Sequence, residues 1–427
     1  MSASAQQKWT LRQCIDYAIE HNINIKQQEL AIKNSEVNLN TSQNSRLPNL
    51  NAGANQSFNF GRSENSAGTY EENQSSNTFF SVSSSVSVFN GFRISNEIKS
   101  SALDLKAATE GLNKAKDDMS VNIALYYMEV LFKKEILKVR EEQCALTAKQ
   151  MERTSLMVES GSVPRSQLFD IKAQFANDEM NVITAKNDLS LSLLNLAQML
   201  NLIEVENFDI MEPQQDIDIL KQLIGSPVTI YETAVITRPN IKEAEYKLES
   251  SEMGVEIAKS YYYPSLSLSA SYDNRFSHIF NNDSINKSVS SQLRRNQGES
   301  IGLNLNIPIF NRMQTRNQVQ SARINVMNRE LELENIKLAL QKEIQQAYLS
   351  ATAAQSKYSA TEKALDAAQE SYIYTEERYG LGKATVFELV EAQTKLSSSR
   401  SEQLQAKYEF LFREKILNLY EGKEISE

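Results

Sequence analysis

The sequence predicts a mainly α-helical, internally duplicated chain that also contributes strands to a membrane β-barrel. Long stretches with helical periodicity and four shorter stretches of alternating apolar and polar residues predict the two kinds of element. The duplication is visible directly. Asn24-Ile25-Lys26 recurs as Asn240-Ile241-Lys242, 216 positions later, and a shift of 221 positions relates Phe89-Asn90 to Phe310-Asn311. Two copies over nearly the whole length indicate one structural unit that is used twice.

The composition favours long helices and argues against several function classes. The 427 residues include only 13 glycines and 7 prolines, whereas good helix formers dominate. A net charge of −9 argues against a nucleic-acid partner. Two histidines and two cysteines leave little material for a metal site or a nucleophile–base pair, and no enzyme motif is recognisable. We therefore expect no enzyme and no cofactor, with Cys14 and Cys144 as free thiols packed like small apolar side chains.

The N-terminal segment resembles the remnant of an export signal. Ala3-Ser4-Ala5 has the small-x-small form of a signal-peptidase site, although no apolar region precedes it. We expect a secreted protein whose signal peptide has been removed, with an ordinary disordered start as the alternative. No run approaches the ~20 apolar residues of a membrane-spanning helix, but spanning strands leave a weaker signal.

The first copy is predicted to cover residues 9–200 and to open with a helix after Trp9. Thr10 and Gln13 fit a capping box at the start of this helix. Helical periodicity then continues, with a short break, until Pro48 stops it.

Four strands are predicted, at residues 48–60, 77–89, 264–276 and 300–310. In each strand apolar side chains alternate with polar ones, mostly Ser and Asn, so that one face is apolar and the other polar. A length of about 10–13 residues suits a tilted strand that crosses the hydrocarbon core, whereas soluble strands more often have ~5–6 residues. The polar stretches that separate the paired strands are predicted to be loops. A soluble four-stranded sheet packed on helices is the alternative.

A very long helix is predicted after each pair of strands. In the first copy the pattern lasts about 65 residues, or ~100 Å, and its spacings alternate between three and four as in a coiled-coil seam. The chain is predicted to turn at 161–164 and 380–384, and each turn leads into a returning helix. The second copy then covers 228–421. Residues 201–227, with six acidic side chains, are predicted to be an inserted segment, and residues 422–427 to fray.

Four strands alone do not close a barrel. An open sheet edge has backbone groups that lipid cannot satisfy, and spanning barrels have at least eight strands. Two chains would supply eight strands, but side chains fill the interior of a barrel of that size. Three chains would supply twelve strands and leave a conduit, so a trimer is favoured over a dimer. The long helices would then form a cylinder wall continuous with the barrel.

The chain resembles the TolC family of outer-membrane channel proteins from Trp9 to Tyr420. The resemblance rests on the duplicated layout and on five segments. They are Leu47-Pro48-Asn49-Leu50, Tyr263-Pro264-Ser265-Leu266, Val88-Phe89-Asn90-Gly91, Ile309-Phe310-Asn311-Arg312 and the stretch from Arg378 to Gln393.

The resemblance implies a homotrimer in the outer membrane, with a twelve-stranded barrel and a periplasmic helical tunnel. Such a trimer is the exit duct of a tripartite efflux pump or a type I secretion system, and it conducts passively. The implied partners are a periplasmic adaptor protein, an inner-membrane pump and outer-membrane lipid. A soluble coiled-coil scaffold or adaptor protein is the alternative, and the four long alternating strands argue against it.

The resemblance also implies a gate at the periplasmic aperture. Glu388 and Glu391 match two acidic positions that ring the aperture, and Tyr379 matches a tyrosine of the closing latch. Three chains would then place six carboxylates at one constriction, which favours cations. Glu388 also fits a capping box with Thr385, which would explain this residue without a gate.

The sequence differs from the family pattern at two latch positions, so whether the latch contacts form is left open. Ala384 stands where a latch arginine can sit, and Gln167 stands where its acidic partner can sit, although Arg165 lies nearby. The two turns are the expected adaptor-docking tips. Their residues are Gly161, Ser162, Val163, Pro164, Gly380, Leu381, Gly382 and Lys383.

Overall fold

The computed structural model describes residues 8–64, 68–72, 74–203, 208–212, 225–280 and 286–423. The export-signal remnant predicted at Ala3-Ser4-Ala5 lies outside these ranges. So do residues 204–207 and 213–224 of the predicted inserted segment, and residues 424–427 of the C-terminal end that was predicted to fray.

The described chain is mainly helical with a smaller share of strand, as the sequence predicts. In chain order the elements are β1 (Lys8–Trp9), α1 (Leu11–His21), α2 (Ile23–Asn44), β2 (Asn51–Asn59), β3 (Arg62–Glu64), β4 (Tyr70–Glu72), β5 (Ser75–Asn90), α3 (Arg93–Glu159), α4 (Arg165–Met199), β6 (Asp209–Ile210), α5 (Pro227–Thr237), α6 (Pro239–Ser260), β7 (Ser265–Ile279), α7 (Val289–Arg295), β8 (Gly298–Asn306), α8 (Gln314–Gly380) and α9 (Val386–Tyr420). Within the described ranges, no helix has the combination of length and apolar composition that crossing a membrane requires.

The helices of the two sequence copies have matching lengths. Helices α3 and α8 each contain 67 residues, or about 100 Å at 1.5 Å per residue, and α4 and α9 each contain 35 residues. The chain forms two compact units. One comprises Met1–Ile32, Ala108–Glu243 and Leu333–Glu427, and the other comprises Lys33–Ala107 and Ala244–Glu332. Each unit combines segments of both sequence copies.

In the first unit, α1 begins with the capping box that the sequence predicts. The Gln13 amide donates to Thr10 Oγ1 at 3.2 Å, and the Thr10 amide donates to Gln13 Oε1 at 3.0 Å. This cap aims the apolar face of α1 into a core that also holds residues of α3 and α4. Cys14 is fully buried there, and burial raises the pKa of its thiol to about 12. Both cysteines are free, but Cys144 is only half-buried.

The described part of the predicted inserted segment joins this core through a short parallel pairing. Strand β6 lies beside β1, with Asp209 opposite Lys8. The Tyr127 hydroxyl of α3 donates to the backbone oxygens of Trp9 and Met211, at 3.2 Å and 2.5 Å. Lys134 forms an ion pair of 2.5 Å with Asp209. The segment is therefore joined to α3 through β6 itself and through the residue that follows it.

The second unit contains a four-stranded antiparallel sheet with the order β2-β5-β7-β8. All four predicted strands are present, but their bounds differ from the prediction. Strand β2 begins at Asn51 rather than at position 48, whereas β7 continues to Ile279. Strand β8 begins earlier, at Gly298, and ends at Asn306 instead of position 310. Pro308 has no N–H to donate to a ladder, so the alternating apolar pattern that continues beyond it does not form a strand.

Two stretches that were predicted to be loops contain regular structure. Strands β3 and β4 form a hairpin between β2 and β5, and helix α7 lies between β7 and β8. Neither stretch has an apolar periodicity long enough to be recognised, because each is held mainly by hydrogen bonds.

The two strand-to-helix junctions share a left-handed backbone. Gly91 and Phe92 have φ values of 64° and 67°, and Arg312 and Met313, 221 positions later, have 54° and 62°. Only the first junction uses glycine. A Cβ at Gly91 would lie 2.5 Å from the Ser260 backbone oxygen, so the close approach of α6 requires a residue without a side chain.

We therefore predict that Gly91→Ala destabilises the second unit by about 1–3 kcal/mol, through the left-handed φ and the steric clash together. Gly161→Ala is the matched control, because Gly161 also has a positive φ, of 72°, but has open space around it. Thermal unfolding followed by circular dichroism measures both. Equal losses in the two variants would contradict the role assigned to the α6 contact.

Candidate functional site

The two turns between the long helices have the same construction. The Ser162 amide donates to the Met157 oxygen at 2.8 Å, and the Lys383 amide donates to the Arg378 oxygen at 2.8 Å. Each turn has a glycine of positive φ, Gly161 or Gly382, in the position that ends a helix with a Schellman motif. Gly380, predicted to belong to the turn, is instead the last residue of α8.

The returning helices begin differently in the two copies. Helix α4 begins after Pro164, which makes no side-chain cap. Helix α9 begins after Thr385, where the predicted capping box is present. The Thr385 amide donates to Glu388 Oε2 at 2.7 Å, and the Glu388 amide donates to Thr385 Oγ1 at 3.2 Å. The second turn is thus the more strongly fastened of the two.

Arg378 closes a small network around this cap. Its Nη2 atom donates to the Lys383 oxygen at 3.2 Å and lies 3.5 Å from Glu388 Oε1. The Thr385 amide, the Thr385 hydroxyl and Arg378 together lower the pKa of the Glu388 carboxyl. Glu388 is therefore ionised and already engaged within its own chain.

Glu391 lies almost one turn further along α9 and has a different environment. Its side chain is exposed, and the ion pairs of the described ranges do not include it. The two predicted gate acids share a helix face, as a spacing of three predicts. Only Glu391, however, presents a carboxylate that is not held by a cap.

Tyr379, the predicted latch tyrosine, is buried rather than exposed at an aperture. Its hydroxyl lies 3.1 Å from Thr154 Oγ1, and the Arg153 guanidinium lies 5.9 Å from its ring centre. The ring belongs to an apolar cluster with Ile171, Tyr372, Val386 and Leu389. Tyr379 therefore joins the end of α8 to α3 within one chain.

The other latch positions do not form a pair. Ala384 packs against the same apolar cluster, and Arg165 is exposed at the start of α4. The side-chain oxygen of Gln167 is buried and accepts no hydrogen bond within the described residues. The side-chain contact between Tyr379 and the first sequence copy is therefore the hydrogen bond with Thr154, and Gln167 takes no part in it.

A buried polar network behind the turns was missed by the sequence analysis. Thr147 Oγ1 donates to Asp178 Oδ2 at 2.6 Å, and Gln393 Nε2 donates to Thr147 Oγ1 at 3.0 Å. Gln174 Nε2 donates to Asp178 Oδ1 at 3.0 Å. The network joins α3, α4 and α9. One feature of the sequence could have indicated it: Asp178 lies in a series of positions seven residues apart, Ile171, Asp178, Ala185 and Ser192, that form a buried face of α4.

Exposed apolar side chains flank the turns. Leu381 is 72% exposed, and Phe387, which the sequence analysis did not single out, is 75% exposed. Within the described residues, no group of three or more His, Cys, Asp and Glu side chains has an arrangement that could hold a metal ion. The turns thus offer apolar contact surface and carboxylate charge.

Comparison with known proteins identifies the family. The outer membrane efflux protein family matches residues 14–202 and 230–420. Outer membrane protein TolC of Escherichia coli K12 is 22% identical over 299 residues, which cover 68% of this chain and 58% of TolC. Outer membrane efflux protein BepC of Brucella suis is 19% identical over 322 residues, which cover 75% of this chain and 67% of BepC.

Solved structures share the fold. The outer membrane protein VceC from Vibrio cholerae superposes with a TM-score of 0.77 at 17% identity, covering 97% of each chain. The CmeC outer membrane channel of Campylobacter jejuni gives 0.78 at 17% identity, covering 98% of this chain and 87% of CmeC. These matches confirm the resemblance seen in the sequence. The chain belongs to the outer membrane efflux protein family.

Proposed function

We propose that this chain is one subunit of a homotrimeric outer-membrane channel that serves as the exit duct of a tripartite efflux pump or a type I secretion system. The observation that carries the proposal is a sheet with two free edges of equal length. Strands β2 and β8 are the edge strands, and each has nine residues. The family match does not favour the alternative of a soluble scaffold.

The direction of the strands permits closure between copies. Three successive antiparallel pairings mean that β2 and β8 of one chain run in opposite directions. Strand β8 of one copy therefore pairs antiparallel with β2 of the next. Lipid offers no hydrogen bonds to an open edge. Three copies give twelve strands and a lumen, whereas the eight strands of two copies would enclose only their own side chains.

The side chains support a lipid face and a wet face. Ile301, Leu303 and Leu305 on β8 are 82%, 71% and 58% exposed. Leu303 lies opposite Leu268 of β7, which lies opposite Val86 of β5, so apolar residues form a band across the strands. The intervening positions carry Ser, Asn and Gly. An apolar band facing lipid and small polar residues facing a lumen are the pattern of a membrane barrel.

The helical hairpins are the proposed periplasmic part, and their turns are the proposed docking site for an adaptor protein that links the channel to an inner-membrane pump. Exposed Leu381 and Phe387 supply apolar anchors, and Lys383 supplies a charge between them. Exposed apolar side chains at a rigid turn are typical of a protein interface. The channel would conduct passively, with energy supplied by the pump.

We propose that Glu391 carries most of the charge effect at the periplasmic aperture. Glu388 belongs to the same acidic ring, but its carboxylate is held by Thr385 and Arg378. Tyr379 supports the gate by fixing the end of α8 against Thr154. Three copies of Glu391 would favour cations at a constriction.

Strand closure predicts a disulfide between neighbouring copies. If β8 and β2 pair end to end, Leu303 lies opposite Ala54, so the variant Ala54→Cys/Leu303→Cys should oxidise to covalent dimers and trimers in membranes. Each single-cysteine variant is the control. A double variant that stays monomeric on non-reducing gels, or a native trimer that leaves cells without detergent, would contradict the proposal.

The gate predicts unequal effects of the two acids. Glu391→Gln should reduce the cation preference by at least about threefold, since one unit charge ~6 Å away in water has that effect and the trimer loses three, and Glu388→Gln should reduce it less. Reversal potentials in planar bilayers measure the preference, with Glu402→Gln, three turns along α9, as the control. An unchanged preference in Glu391→Gln would remove this residue from the aperture.

The docking site predicts a loss of adaptor contact. Leu381→Asp combined with Lys383→Glu should reduce in-cell crosslinking to the adaptor by at least about tenfold, the effect of losing roughly 1.4 kcal/mol. Leu349→Asp, which changes an exposed leucine of α8 away from the turn, is the matched control. Intact crosslinking with a folded trimer would exclude this turn from the interface.

A further inference from the structure

Strand β7 continues beyond the end of its neighbour β8. It pairs with β5 as far as Ile279, but its pairing with β8 stops at Asp273, opposite Gly298. The backbone groups of residues 275–279 that face away from β5 therefore have no strand beside them. Unpaired edges of this kind usually need protection in native proteins.

Three amide side chains take the place of the missing strand. Asn296 Nδ2 donates to the Arg275 oxygen at 2.8 Å. Gln292 accepts from the Ser277 amide at 3.0 Å and donates to the Ser277 oxygen at 2.8 Å. Asn286 does the same at Ile279, at 2.8 Å and 2.7 Å. All three belong to α7 or to the residues beside it. Helix α7 therefore lies beside β7 in the place where β8 would be if it extended beyond Gly298.

The outer surface of this segment is cationic. Residues 286–296 include Lys287, Arg294 and Arg295 and contain no acidic residue. All three cations are exposed, and the ion pairs found in the described ranges do not involve them. The hydrogen bonds that join this segment to β7 are made by amide side chains, including that of Asn274, so the positive charges remain available to a partner.

The hairpin that follows the opposite edge strand is acidic. Strands β3 and β4 carry Glu64, Glu71 and Glu72 against a single basic residue, Arg62, which lies opposite Glu72. This hairpin continues from β2. Within one chain, β5 and β7 lie between β2, which leads into the hairpin, and the edge of the sheet where α7 and β8 lie. Pairing between copies would instead make the hairpin and that edge direct neighbours.

The β3–β4 hairpin and α7 would also lie at the same height along the strand direction if β8 and β2 of neighbouring copies pair. In an end-to-end pairing, Asn59 of one copy lies opposite Gly298 of the next, and Gly298 lies opposite Asp273. Glu64 is five residues beyond Asn59, and His278 is five residues beyond Asp273. Glu64 therefore falls level with the part of β7 between Ser277 and Ile279, where Gln292 and Asn286 hold α7.

We propose that α7 and its flanking residues bind the β3–β4 hairpin of the neighbouring copy, forming an electrostatic collar around the end of the barrel. The partner is a second copy of this chain. The inference rests on the proposed trimeric closure, and it adds a contact that strand pairing alone does not require. A collar repeated three times gives the trimer a stability that depends on salt.

Disulfide trapping tests the contact. The variant Glu64→Cys/Lys287→Cys, which places both cysteines at the level of Ser277 to Ile279, should give covalent dimers and trimers under oxidation, in a Cys144→Ser background that removes the half-buried thiol. Ala54→Cys/Leu303→Cys in the same background reports strand closure separately. Closure without collar crosslinks, or an intrachain collar disulfide, overturns the collar and leaves the proposed function intact. Failure of both pairs overturns the closure itself.

Charge reversal tests the nature of the contact. Arg294→Glu/Arg295→Glu and Glu64→Lys should each lower the dissociation temperature of the trimer by about 5 °C, and combining the two should restore at least half of the loss. Arg316→Glu/Arg323→Glu, two exposed cations on α8, is the matched control. No restoration in the combined variant, or altered binding of vesicles with phosphorylated lipids by the arginine variant alone, would overturn the collar in favour of a lipid contact.

Discussion

The free edges of the four-stranded sheet are the constraint on which the other features depend. A strand at an edge exposes a row of N–H and C=O groups, which water satisfies and lipid does not. Strands β2 and β8 have the same length and opposite directions, so the two edges are complementary to each other. The apolar band across the sheet is consistent with the lipid-facing side of the proposed barrel.

The same requirement explains the parts of the sheet that depart from regular pairing. Where β7 extends beyond β8, the side-chain amides of Asn286, Gln292 and Asn296 form hydrogen bonds with the backbone of β7 that a neighbouring strand would otherwise form. Pro308 ends β8 without leaving an unmet donor. At these two places, the hydrogen-bonding needs of the backbone rather than apolar burial set the end of the strand.

In the helical part, the constraint is the register between neighbouring helices. Long seams rich in alanine pack closely but permit sliding, because one small side chain resembles the next. The buried contact of Thr147 with Asp178, joined by Gln393, is possible in only one register of α3, α4 and α9. Tyr379 and Thr154 add a second such contact near the turns. This alignment also fixes the position of α9, which carries Glu388 and Glu391.

The sequence by itself determined the features that leave a periodic pattern or a recognisable cap. Periodicity predicted the long helices and the four strands, and local chemistry predicted the caps at Thr10 and Thr385. Only the tertiary structure decided that Arg378 holds Glu388, that Asp178 is buried, and that a polar loop becomes α7. Each of these depends on groups that folding brings together, and periodicity in the sequence does not say which residue a polar side chain will meet. A pattern in the chain records which face is apolar, but the partner of a polar side chain is settled only when the elements pack.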